Sequence, residues 1–169
     1  MMLTHQLTVE EVNNLESETF VRIFGNTVEH FPAAAIAILK NRPFLDIDDI
    51  IKAVTDFLDS LKVYEKERIL QLYPDVVNKL FYSSQLPLKR EIRGSDHLTV
   101  DDKTKLRELD DNYKVKFGFP FIIDNKEKDV NTIFSEIISR LQNSKEKEID
   151  NTMRIVKNIV KLRIHEIVR

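Results

Sequence analysis

Arg163 is the residue whose type and place most invite chemistry. Ile149, Met153, Val156, Val160 and Ile167 recur at four-three spacing along the last helical stretch, and position 163 is the missing member of that series. A guanidinium on a core-facing seam must be paired or face a cavity, because burying it alone is expensive. Its planar fork also matches a carboxylate. The plainer alternative has Arg163 reaching water near the helix end, where a cation suits the negative terminus. A second suggestive stretch is "NYKVKFGFPFIIDN", residues 112–125. The chain has only three glycines and five prolines, yet Gly118 and Pro120 stand two apart among phenylalanines. Within it, "FPFIID" offers backbone N–H and C=O groups that no helix consumes. If buried, they need partners, from neighbouring side chains or from a ligand. The run "LKREIRGSDH" is basic through Lys89, Arg90 and Arg93, which suits a solvated loop or an anion-binding lip. His5, His30, His97 and His165 lack metal-ligand spacing, and surface or cap roles fit them better. No nucleophile elbow, phosphate-cradling glycine loop or zinc signature occurs.

The elements that must carry these residues read as helices. Scarce Gly and Pro, with apolar residues three and four apart, predict an all-α, single-domain helical bundle. Thr8 with Glu11 resembles a capping box. Ser17 is expected to cap one helix over "SETFVRIFGNTVEHF", and Pro32 to stand first in the next. "DIDDIIKAVTDFLDSL" presents a wide apolar face with acids in its first turn, and "YEKERILQLY" ends at Pro74. Periodicity fades from Pro74 to Gly94. Thr99 and Asp102 then cap a helix with Leu106, Leu109, Tyr113 and Phe117 inside. Val130, Ile133, Phe134, Ile137, Ile138 and Leu141 mark another, and Ser144 opens the longest. Gly118 falls where a left-handed cap is wanted, and Pro120 prevents the helix from restarting. One short extended segment is therefore expected near residues 119–124.

Bulk properties narrow the classes. The composition is 42% hydrophobic and 32% charged, that of a globular chain. A net charge of -2 argues against nucleic acid as a partner, and no stretch is long and apolar enough to span a membrane. There is no cysteine, hence no disulfide framework. A cytoplasmic location is expected, since the C-terminal "HEIVR" is not a peroxisomal tripeptide.

Several separate stretches together resemble one family, the decarboxylase of 2-oxo-4-hydroxy-4-carboxy-5-ureidoimidazoline (OHCU), the last enzyme of the urate-to-allantoin route. "FVRIFGNTVEHFP" and "NRPF" look like its N-terminal helices, and "ERILQLYPDV" like its "HPDL" site motif. "NYKVKFGFPFII" looks like its most distinctive segment and "KLRIHEIV" like its C-terminal motif. The resemblance implies one all-helical domain over residues 1–169, a cofactor-independent lyase that forms (S)-allantoin, and commonly a homodimer. The ligand it implies is a small anionic ureide or purine-derived molecule. Peroxisomal members also exist.

Carried over by position, Arg163 grips the substrate, while Pro74, Phe121, Ile122, Ile123, Asp124 and Asn125 line the pocket. Two positions depart from the pattern. The family histidine falls on Tyr73, and the family glutamate falls on Lys89, or on Glu91 if the gap in the loop after Pro74, which is shorter here than in the family, slides by two residues. Imidazole titrates near 6.5 and a phenol near 10. Tyr73 can therefore donate a proton to the carbanion or enolate left by carbon dioxide, but is poorly placed to take one back. A neighbouring Lys89 would lower the pKa of such a phenol. Three readings follow from these departures: a divergent decarboxylase, a ureide-binding pseudoenzyme, or a helical interaction module.

Overall fold

Short-range capping chemistry sets several of the helix starts. The computed structural model describes residues 5–77, 99–124 and 129–169, and eight α-helices lie among them. No β-strand occurs among the described residues; Leu7 and Val168 form an isolated parallel bridge. None of these helices is long and apolar enough to cross a membrane. The chain forms two compact units, one comprising residues up to Leu72 together with Val156–Arg169, the other Tyr73–Ile155.

The first unit holds α1 (Val9–Asn14), α2 (Ser17–Phe24), α3 (Ala33–Ile38), α4 (Ile47–Asp59) and α5 (Val63–Leu70). It also holds the C-terminal part of α8 (Lys145–Ile167). Thr8 caps α1 with the expected reciprocal bonds: Glu11 N–H donates to Thr8 Oγ1 at 3.1 Å, and Thr8 N–H donates to Glu11 Oε1 at 3.0 Å. Asp46 caps α4 by accepting from Asp49 N–H at 2.8 Å. These three bonds satisfy amides that a helix start leaves orphaned.

The second helix is shorter than the sequence suggested. It stops at Phe24 instead of running on to Phe31, because Gly25 and Asn26 are poor helix formers and Thr27 Oγ1 donates to the Phe24 carbonyl at 2.9 Å. Gly25 is also sterically required: a Cβ there would lie 2.5 Å from the Val21 oxygen. Ser17 is the first residue of α2 and not its cap, a place taken by Glu16, while Pro32 is the cap of α3 and not its first residue. Phe20, Phe24, Val28, Ile38, Ile50 and Leu58 are almost wholly buried, with the Phe20 and Phe24 rings stacked 4.6 Å apart. Hydrophobic burial of this kind stabilises the unit by roughly 2 kcal/mol per large side chain.

The second unit holds α6 (Val100–Phe117), α7 (Val130–Arg140) and the start of α8. Thr99 and Asp102 form the expected capping box, with Asp102 N–H donating to Thr99 Oγ1 at 3.0 Å. Gly118 ends α6 at φ +81°, in the left-handed region, and donates to the Lys114 carbonyl at 2.8 Å. Residues 119–124 carry neither helix nor strand. Phe119 and Phe121 turn back edge-on to Tyr113, with ring centroids 6.0 and 5.3 Å from it.

The inner faces differ from expectation at two places. On α6 the buried set is Leu106, Asp110, Tyr113 and Phe117, with Leu109 only half-buried. On α7 it is Val130, Ile133, Ile137 and Arg140, while Ile138 is exposed. Two charged residues have taken inward places given to Leu109 and Leu141.

Candidate functional site

Arg163 lies on the flank of the α8 seam. The buried face runs through Ile149, Met153, Val156, Val160, Ile164 and Val168, so its C-terminal end passes through 164 and 168, not 163 and 167. After Val160 the inward residues come four apart, where a four-three repeat would place the next one three residues on, so the face passes through Ile164. Arg163 is therefore half-buried, its side chain 30% exposed. The guanidinium does not trail into solvent. Its Nη1 donates to the Asn26 carbonyl at 2.8 Å and its Nη2 to Glu29 Oε2 at 2.5 Å. It borders a cleft of about 260 Å³ within the first unit, together with Arg22, Asn26, Thr27 and Glu166. Two guanidiniums on one small cleft can hold an anionic or carbonyl-rich group.

The remaining described candidates belong to the second unit. Tyr73 is 6% exposed, just beyond the end of α5, and Pro74 beside it is exposed. Phe121, Ile122 and Ile123 have buried side chains, and Asp124 is half-buried. Lys89, Glu91 and Asn125 lie outside the described residues. The question of where the non-helical segment finds its partners is answered at one carbonyl. Arg140 Nη1 donates to the Ile122 oxygen at 2.8 Å.

Arg140 was not anticipated, and neither was the network around it. Its Nε donates to Glu148 Oε2 at 2.7 Å, and its Nη2 reaches Tyr113 Oη and Thr152 Oγ1, both at 3.3 Å. Tyr113 Oη in turn donates to Glu148 Oε2. The guanidinium carbon sits 4.4 Å from the centre of the Phe121 ring, a cation–π contact. Arg140 is 6% exposed and Glu148 is fully buried, so this pair resides in the interior. Burial raises the Tyr113 pKa well above the ordinary phenol value; the Arg140 charge opposes this and the Glu148 carboxylate adds to it. Tyr113 is accordingly a neutral hydrogen-bond donor throughout the working pH range. The sequence carried a faint signal: Ile133, Ile137 and Arg140 continue one helical stripe, as Arg163 was read to do.

A second polar cluster flanks the Tyr73–Pro74–Asp75 stretch. Lys114 pairs with Asp75 and, at 2.8 Å, with the buried Asp110. Partial burial alone would pull the Lys114 pKa down, but the two carboxylates outweigh it and hold the ammonium above the ordinary lysine value. Burial raises the Asp110 pKa, with Lys114 opposing. Asp110 Oδ1 is the one buried side-chain oxygen among the described residues with no hydrogen-bond partner. A carboxyl whose folded pKa is raised contributes most to stability below its unfolded pKa, and that contribution is lost as pH rises through the folded value. Asp110→Asn should therefore gain stability relative to the parent as pH climbs from 4 to 7. Urea midpoints measured across that range check the sign.

The OHCU decarboxylase family model matches residues 13–165, covering parts of both units. The 2-oxo-4-hydroxy-4-carboxy-5-ureidoimidazoline decarboxylase of Xenopus laevis is 34% identical over 162 residues, 94% of this chain and 93% of that protein. A human protein described as a putative decarboxylase of the same compound is 31% identical over 167 residues, 96% of each chain. Among solved structures, a crystal structure of (S)-allantoin synthase superposes with a TM-score of 0.79 at 20% identity. It covers 95% of this chain, which spans 54% of that one. A crystal structure of OHCU decarboxylase in the presence of (S)-allantoin superposes with a TM-score of 0.60 at 17% identity, covering 89% and 96%. At those identities the structural likeness speaks for the helical fold.

Proposed function

Because this chain belongs to the OHCU decarboxylase family, we propose that it decarboxylates OHCU to (S)-allantoin without a cofactor. The observation that carries the reading is the Arg163 guanidinium, fixed by Asn26 and Glu29 at the edge of a small polar cleft. In the reaction the bond from the ring carbon to the carboxylate breaks and carbon dioxide leaves. The electron pair stays behind as a carbanion or enolate, which must then be protonated. Arg163 faces the charge that develops on the ligand, where a preorganised donor lowers the barrier most. By family position the proton comes from the Tyr73 hydroxyl, with Lys89 or Glu91 at the family glutamate's place. By family position Pro74 and residues 121–125 are assigned to ligand contact. The active form in this reading is a cytoplasmic homodimer.

Supplying freshly generated substrate tests the proposal directly. Circular dichroism should show a single allantoin enantiomer appearing faster than in buffer; a buffer rate would end the reading. The same assay tests the assigned proton donor. Tyr73→His combined with Lys89→Glu restores the family pattern and should raise turnover by about 10²-fold, the lower range for well-matched general acid catalysis.

A further inference from the structure

The cleft beside Arg163 is backed by an arrangement that the proposed chemistry does not itself require. Asn26, Glu29 and His30 follow α2 in the stretch "GNTVEH". His30 takes φ +50°, a left-handed conformation that a histidine adopts more readily than most non-glycine residues. The Asn26 side chain fixes that bend by accepting from His30 N–H at 2.7 Å. The bend leaves the Asn26 carbonyl and the Glu29 carboxylate both within reach of one guanidinium. His30 Nε2 stands 3.5 Å from the other Glu29 oxygen, Oε1. Glu29 is 12% exposed while Arg163 is 30% exposed, so the acid is the more enclosed partner.

We infer that Glu29, together with the Asn26 carbonyl, is the positioning clamp of Arg163: it sets the plane of the guanidinium at the cleft and leaves the remaining N–H groups for a ligand. This rests on the reading of Arg163 as the substrate-gripping residue. A guanidinium is a rigid planar fork, and fixing one N–H on each terminal nitrogen removes rotation about both its long side chain and its Cζ–Nε bond. The clamp also explains why an uncommon backbone conformation persists here, since such conformations hold when the surroundings over-determine them. The ligand group that fits is a planar oxygen acceptor, a carboxylate or a ureide carbonyl, docked on the edge that the clamp leaves open. Glu29 does not touch the reacting atoms in this scheme; it acts through Arg163.

The test uses the full chain and two readouts. Arginine Nε–Hε signals in ¹⁵N-resolved spectra sharpen and exchange slowly when a guanidinium is immobilised, and Arg163→Lys identifies the relevant signal by removing it. The parent should show a persistent Arg163 signal. Glu29→Gln should broaden or abolish it and lower kcat/KM about tenfold or more, the scale of loss from a misplaced positioning group. Glu29→Asp keeps the charge but withdraws it by one methylene, and should give the same broadening if the glutamine variant does not fold. An unchanged signal in a folded Glu29 variant overturns the inference, as does an unchanged kcat/KM in an active protein. If the parent lacks decarboxylase activity, the proposed function fails, and the spectroscopic readout alone still decides the clamp.

Discussion

Arg140→Ala is expected to cost about 3–5 kcal/mol of folding stability, the range for removing one partner of a buried ion pair. Glu148 has no exposure to water, so losing the guanidinium strands a carboxylate in the interior. The Ile122 carbonyl loses its donor in the same step, and the Phe121 ring loses the cation above it. A single domain commonly has only about 5–15 kcal/mol in total, so this substitution should bring the second unit close to unfolding at moderate urea concentrations. Replacing both charges by well-packed apolar residues, as in Arg140→Met with Glu148→Leu, should recover most of the loss, because neither charge is then left unpaired. A double-mutant cycle measured by urea unfolding gives the coupling between the two positions. Near-parental stability for Arg140→Ala alone would contradict the interior pairing.

Arg163→Ala should act in the opposite way, sparing the fold and removing activity. Its pair with Glu29 is only partly enclosed, and part-exposed ion pairs contribute roughly 0–1 kcal/mol. The expected loss in turnover is about 10²–10³-fold, the usual consequence of deleting one preorganised donor to developing charge. The thermal midpoint should shift little. Allantoin formation measured with freshly generated substrate provides the comparison, and a rate equal to that of the parent removes Arg163 from the mechanism. The two arginines thus separate cleanly by experiment: one is read out in stability, the other in rate.

Legibility in the sequence followed the range of the interaction. Thr8 with Glu11, Thr99 with Asp102 and the cap at Gly118 all depend on neighbours within one helical turn, and all three lie where the pattern put them. The family resemblance was legible too, because its motifs are spread through the chain and keep their order. The buried charges were not. Arg140 meets Glu148 across 8 residues, Ile122 across 18 and Tyr113 across 27, and no local pattern encodes that meeting. A hydrophobic stripe that ends in arginine reads equally well as a helix end reaching water. The α8 stripe was legible in kind but not in phase, since the expected four-three repeat and the observed run of fours after Val156 part by one residue at 163 and 164. The over-long reading of α2 has a similar cause: the apolar series continues through Val28 and Phe31, but Gly25 and Thr27 end the helix beneath it.

The bond from Arg140 to residue 122 is made to a main-chain oxygen, and every amino acid carries that atom. Drift at position 122 is accordingly invisible to Arg140 so long as the peptide stays put, and no replacement there can compensate for losing the arginine. Compensation must come from the side chains around the guanidinium, at 113, 121, 136, 148 and 152. Paired sequence change among descendants of this gene should therefore track those positions and ignore 122.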